Sequence, residues 1–265
     1  MDSTPAVRPE LGALEAGMQH AETTIGVPEL DEFVDQGRIT RIHAQLTSGK
    51  EGTVYCCRAH PSTRRKFVAA KVYRQHTGSS YKWNATYFEG RERVLKPQTL
   101  RAVQARTAFG RAVAGGLWIE AEYDALQRLA AAGASTPVPI ALGEHAILME
   151  YIGNGAGPAP HLHGVDLDRD AARRAFAQIM EDITLMLRHH LVHGDLSPYN
   201  ILFWKGSPRI IDLPQAVDAR FNHAAPELFR RDVENVCRFF DRHGLDEDPI
   251  QWGIDLWDRY QRAAL

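Results

Sequence analysis

The chain has 265 residues, enough for one two-lobed enzyme or two small domains with a buried core. Acidic and basic side chains nearly balance at a formal net charge of −2, so bulk charge marks neither a nucleic-acid coat nor a binder of acidic substrates. Three cysteines, two of them adjacent (Cys56, Cys57), exclude a disulfide framework, and no apolar run reaches the roughly 18–20 residues of a membrane span.

The start of the chain has no basic segment leading into an apolar one, so no signal peptide is expected and a cytoplasmic protein is. Residues 1–35 carry Asp2, Glu10, Glu15, Glu22, Glu29, Asp31, Glu32 and Asp35 against Arg8 alone, which predicts an acidic tail, disordered at its beginning. From Ile39 the pattern changes. Strands are predicted at Ile39–Thr47, Thr53–Arg58 and Lys66–Tyr73, parted by Ser48-Gly49-Lys50-Glu51-Gly52 and by a turn at His60-Pro61-Ser62. Residues 74–116 lack strand alternation and hold eight Lys/Arg against Glu89 and Glu92, which reads as a basic, mobile insertion. After Gly115-Gly116, helical spacing runs from Leu117 to Ala132 and stops at Thr136-Pro137-Val138-Pro139.

Short strands are predicted at Ile140–Gly143 and Ala146–Tyr151. The Gly/Pro loop Gly153–Pro160 then marks a boundary between a mostly-β lobe (36–152) and a mostly-α lobe (153–265). An amphipathic helix is expected over Arg169–His189, followed by strands at Ile201–Trp204 and Arg209–Leu213 and helices at Pro226–His243 and Pro249–Ala263. The fold class is α+β.

The densest chemistry lies in His193-Gly194-Asp195-Leu196-Ser197-Pro198-Tyr199-Asn200-Ile201-Leu202, followed by Ile210-Ile211-Asp212. Phosphoryl transfer needs a carboxylate near the acceptor hydroxyl and oxygen ligands for the metal ions that bridge the phosphates. Asp195 suits the first role, and Asn200 and Asp212 suit the second. Upstream, the glycines of Ser48–Gly52 would let backbone N–H groups approach phosphates, and Val68-Ala69-Ala70-Lys71-Val72 places a lysine on a strand beside them. Such a lysine needs a helical glutamate. Glu120 and Glu122 both qualify, and Glu122 is preferred because Leu126, four residues on, would pack inward on its face. Three other signals carry less. Ala225-Pro226-Glu227 falls too soon after Asp212 for a full activation segment and reads as a helix start. His189 and His190 read as a helix end, and Cys56 and Cys57 alternate across a strand.

These motifs resemble the RIO family of atypical protein kinases over about Ser48–Phe240. Thr47–Tyr55 is similar to its S-T-G-K-E-[AG]-x-V-Y loop, Trp118–Glu122 to its W-A-x-K-E helix, and His193–Leu202 to its H-[AG]-D-L-S-x-x-N-[IM]-L loop. Ile210–Gln215 is similar to its I-I-D-x-x-Q strand and Arg230–Phe240 to its R-[RK]-D-x-x-N helix, whereas Leu213-Pro214 departs from the small polar residues usual after the aspartate. The resemblance implies a small two-lobed kinase fold without a full activation segment, in the subgroup lacking a winged-helix domain. It implies ATP and Mg²⁺, with Asp195, Lys71 and Asp212 catalytic and Asn200 and Asp212 on the metal. The nucleotide would lie against Ser48, Gly49, Lys50, Glu51, Gly52, Val54, Ala69, Glu122, Leu202 and Ile211, with Met149, Glu150, Tyr151 and Ile152 as an adenine-holding hinge. The acceptor would be protein or the chain itself, with ATP hydrolysis as a further outcome. The basic insertion offers a surface to an RNA or ribosomal partner, and neither membrane nor DNA is expected. An aminoglycoside- or choline-type kinase shares the H-G-D-x-x-x-x-N and I-D segments, and a nucleotide-dependent scaffold would use the same fold without turnover.

Overall fold

A computed structural model describes residues 26–74, 89 and 95–265. Five antiparallel strands form the N-terminal lobe: β1 (Ile39–Ser48), β2 (Gly52–Ala59), β3 (Phe67–Tyr73), β4 (Pro139–Leu142) and β5 (Ala146–Glu150), in the order β1-β2-β3-β5-β4. Strand β3 is central, with Lys71 opposite Val54 on one side and Ile147 on the other. Because strand side chains alternate, Val68, Ala70 and Val72 share one face with Tyr55 and Cys57, while Ala69, Lys71 and Tyr73 face the other way.

The first face is closed by a segment expected to be tail. Val27, Leu30 and Phe33 are buried against the sheet, the last two from a short 3₁₀ turn (Pro28–Leu30) and from α1 (Asp31–Asp35). The lobe therefore begins before residue 36. Three apolar side chains at intervals of three were masked by the acids between them, and Glu32 itself accepts the Glu144 N–H at 3.0 Å. The rest of the predicted tail lies outside the described residues.

A second correction concerns 74–116. From Pro97 it is helical: α2 (Pro97–Gln104) leads into α3 (Ala108–Ala131), which starts at the Thr107 cap, whose side chain accepts the Gly110 N–H at 3.0 Å. Gly110 is where α2 and α3 touch, and a Cβ there would fall 2.0 Å from the Ala102 carbonyl. Gly115 and Gly116, read as a break, lie inside α3, because packing outweighs a propensity cost of about 1 kcal/mol each. The remainder of that insertion, residues 75–88 and 90–94, falls outside the description.

After β5 the chain makes a small hairpin, β6 (Gly153–Asn154) with β7 (Gly157–Pro158), and enters the C-terminal lobe. This lobe is built on α4 (Arg169–Arg188), α5 (Ala225–Asp241) and α6 (Pro249–Gln261). Two short antiparallel pairs complete it: β8 (Leu191–Val192) with β11 (Val217–Asp218), and β9 (Ile201–Trp204) with β10 (Ser207–Ile210). Its core joins Phe176, Ile179, Ile183 and Leu187 of α4 to Val233, Val236 and Phe240 of α5, and extends to α3 through Leu126 and Leu129. No helix among the described residues is long and apolar enough to cross a membrane.

Candidate active site

Residues far apart in sequence meet where the lobes face each other. Lys71 leaves the centre of β3 on the cleft side, and its Nζ donates to both oxygens of Glu122 on α3, each at 2.8 Å. Glu122, not Glu120, is the partner, and it is almost fully buried. The same Nζ reaches Asp212 Oδ1 at 2.5 Å. Burial would by itself lower the Lys71 pKa, but Glu122 and Asp212 outweigh it and hold the ammonium well above its ordinary range. Burial would raise Asp212, and there too Lys71 wins, so its carboxyl stays below the usual carboxylate range. Leu213, at the departure from the family pattern, is buried and gives its N–H to Glu122 Oε1 at 3.2 Å, tying the loop after Asp212 to α3.

Asp212 stands just beyond β10 at φ 67°, a left-handed conformation that aspartate tolerates better than most residues. Asn200 ends a single 3₁₀ turn begun by Pro198, and its carbonyl accepts the Ile211 N–H at 2.9 Å, which sets it beside Asp212. Its Nδ2 donates to the Asp195 carbonyl at 2.8 Å, leaving the amide oxygen as the available ligand atom.

His193 is buried and neutral. Its Nε2 donates to the Ile211 carbonyl at 3.1 Å, while Nδ1 accepts the Asp195 N–H at 3.3 Å. Burial pushes its pKa down to about 4. Behind the loop, Asp232 of α5 accepts the N–H groups of Gly194 and Leu196, both at 2.8 Å, and Asn235 donates to the Leu196 carbonyl at 3.0 Å. Arg231 binds the Gly194 carbonyl. Asp195 is thus held by the backbone on either side. Burial raises its carboxyl, against an opposing pull from Arg231.

The cleft measures about 460 Å³. Gly49, Lys50, Glu51, Gly52 and Val54 from the β1–β2 turn, Ala69 and Lys71 from β3, and Glu122 from α3 line it. Met149, Glu150, Tyr151 and Ile152 follow β5 along one wall, with Asn200, Leu202, Ile211 and Asp212 below. Ser48 was expected there and is not: its Oγ accepts from Arg74 at 2.8 Å and lies 3.2 Å from Thr53 Oγ1, because β1 continues through it and turns it to the rim. Asp195 stands behind Asn200, its Oδ2 3.5 Å from Asn200 Nδ2.

Several contributors went unread in the sequence. Leu46, Leu126, Pro137, Pro158, His161 and Tyr199 also line the cleft. Asp232 and Asn235 sit in the Arg-Arg-Asp-x-x-Asn stretch, where an acid and an amide three apart on an otherwise apolar face were the available signal.

The RIO domain profile matches residues 53–251. The RIO-type serine/threonine-protein kinase Rio1 of Thermoplasma acidophilum is 34% identical over 185 residues, covering 70% of this chain and 90% of its own. The Rio1 protein of the same description from Haloferax volcanii is 31% identical over 222 residues, 82% of this chain and 69% of that one. Serine/threonine-protein kinase RIO1 of Homo sapiens is 31% identical over 228 residues, 82% of this chain but only 36% of the human protein.

Proposed function

The chain belongs to the RIO family, and from that membership we propose that it is an ATP- and Mg²⁺-dependent serine/threonine protein kinase. The observation that carries this reading is the meeting of Lys71, Glu122, Asn200 and Asp212 at one cleft. The amide oxygen of Asn200 and the carboxylate of Asp212 are hard oxygen donors, side by side and suited to Mg²⁺. When bound, the metal would neutralise phosphate charge.

The protein's own groups do the rest. Lys71, held charged by Glu122, meets the phosphates under the Gly49–Gly52 turn, and Met149–Ile152 take the base. Asp195 accepts or orients the proton of the attacking hydroxyl, with its backbone clamped by Asp232 and its loop tied to Ile211 through His193. The relatives are named serine/threonine-protein kinases, which favours a hydroxyl on protein, or on the chain itself, over an aminoglycoside or amino alcohol. Hydrolysis of ATP is the companion reaction when water takes the acceptor's place. Lys96, Arg101, Arg106 and Arg111 around α2 and α3 are all exposed, with no acid until Glu120, and would give an RNA or ribosomal partner a run of basic side chains. Three free, buried cysteines fit a reducing cytoplasm.

Incubation with γ-labelled ATP tests this. Label should appear on protein and fall by about 10²-fold or more in Asp195→Asn and Asp212→Asn. Label found only on an added aminoglycoside or amino alcohol, or transfer indifferent to Asp195→Asn, would refute it.

A further inference from the structure

Lys71 and Tyr73 lie two residues apart in β3, so they leave the strand on the same face, toward α3. Tyr73 is buried there, its ring centroid 5.1 Å from Lys71 Nζ. Its hydroxyl donates to Glu122 Oε2. The two oxygens of Glu122 are therefore not equivalent. Besides Lys71, Oε1 has the Leu213 N–H at 3.2 Å, whereas Oε2 has the Tyr73 hydroxyl. Lys71 is itself divided between Glu122 and Asp212. Once phosphates draw on Lys71, Leu213 still restrains Oε1, and Tyr73 restrains Oε2.

We infer that Tyr73 is a positioning residue for phosphoryl transfer: its hydroxyl locks the rotation of the Glu122 carboxylate and so keeps Lys71 aimed at the phosphates. The inference rests on the ATP-phosphotransferase reading of the cleft. Burial, with the charges of Glu122, Asp212 and Glu51, lifts the phenol well above its ordinary pKa, so it stays a donor. Tyr73 also pairs with Gly52 across the β2–β3 ladder, at a contact so close that a Cβ on Gly52 would fall 2.3 Å from the Val72 carbonyl. Tyr73 thus joins, by its backbone, the turn that approaches phosphate and, by its hydroxyl, the helix that holds the lysine. A phenylalanine would fill the same space without the hydroxyl.

The test is a double-mutant cycle on the full chain, reading MgATP affinity by calorimetry. Tyr73→Phe should weaken binding about three- to tenfold in the otherwise native protein. It should change binding by less than about twofold in a Lys71→Met or Glu122→Ala background, where the group it acts through is gone. A purely packing role would give the same factor in every background. Equal factors, or no effect of Tyr73→Phe in the native background, would overturn the inference while leaving the kinase reading intact. Absence of MgATP binding by the native protein would overturn both.

Discussion

Replacing Asp232 by Asn separates the support behind the catalytic loop from the residues at its front. Asp232 is buried and accepts two N–H groups, from Gly194 and Leu196, each at 2.8 Å. An asparagine can keep one of these bonds with its oxygen, but its Nδ2 would then face the second N–H, donor against donor. A hydrogen bond to a charged acceptor contributes about 1.5–3 kcal/mol, and a buried donor left unpaired costs about 1–3 kcal/mol. Unfolding in urea should therefore show a loss of about 2–4 kcal/mol. Asp195 lies between the two released residues, and misplacement by about 1 Å can cost about 10²-fold in rate. We expect kcat for labelled-phosphate transfer to fall 10- to 100-fold, with KM for ATP changed less than about threefold, since the Gly49–Gly52 turn, Lys71 and Met149–Ile152 lie on other elements. Burial lifts this carboxyl to about 7, so the comparison belongs at pH 8, where the native side chain is ionised. A variant with native kcat and native stability at pH 8 would show that α5 does not set the loop.

Three further outcomes are expected. Phe33→Ala should lose about 3–5 kcal/mol in urea unfolding, because its ring is wholly enclosed between α1 and the sheet; a loss below about 1 kcal/mol would return residues 27–35 to the tail. His193 is held down at about 4 against its ordinary 6.5, so the stability from its neutral form is present above pH 6.5 and lost as pH falls through 4. The native protein should lose up to about 3 kcal/mol more than His193→Gln between pH 7 and pH 4, and parallel curves would count against this. Asp182, raised to about 6, contributes with the opposite sign over part of that window and cancels in the comparison. Gly52→Ala would place a Cβ 2.3 Å from the Val72 carbonyl, forcing β2 and β3 apart, and KM for ATP should rise at least about tenfold; an unchanged KM would remove this turn from the nucleotide site.

The elements most legible in the sequence were those with strong local signals. The three strands of 39–73 came from alternation and turn residues, and α4 from its apolar stripe behind the Asp168 cap, which accepts the Ala171 N–H at 2.7 Å. Two segments were misread because packing, not local pattern, stabilises them. Val27, Leu30 and Phe33 are an anchor only once the sheet face exists to receive them. The first turns of α3 carry three glycines and a weak pattern, and they hold because α2 packs against Gly110. The site divides in the same way. Asp195, Asn200 and Asp212 were readable as chemistry, whereas Asp232 stood out only as part of a resemblance and without a role, since its work is to accept N–H groups from a loop 36 and 38 residues earlier.

Sequence alone determined the reaction type, because phosphoryl transfer demands particular oxygen and nitrogen groups at short, ordered spacings that a chain displays openly. It preferred Glu122 over Glu120 from helical spacing, but it could not move Ser48 off the cleft or enlist Tyr73. Those depend on the direction of side chains leaving a strand and a helix that lie 51 residues apart and meet only in the folded core. There, burial in a medium less polar than water makes each charge depend on its partners, and the partners are chosen by packing.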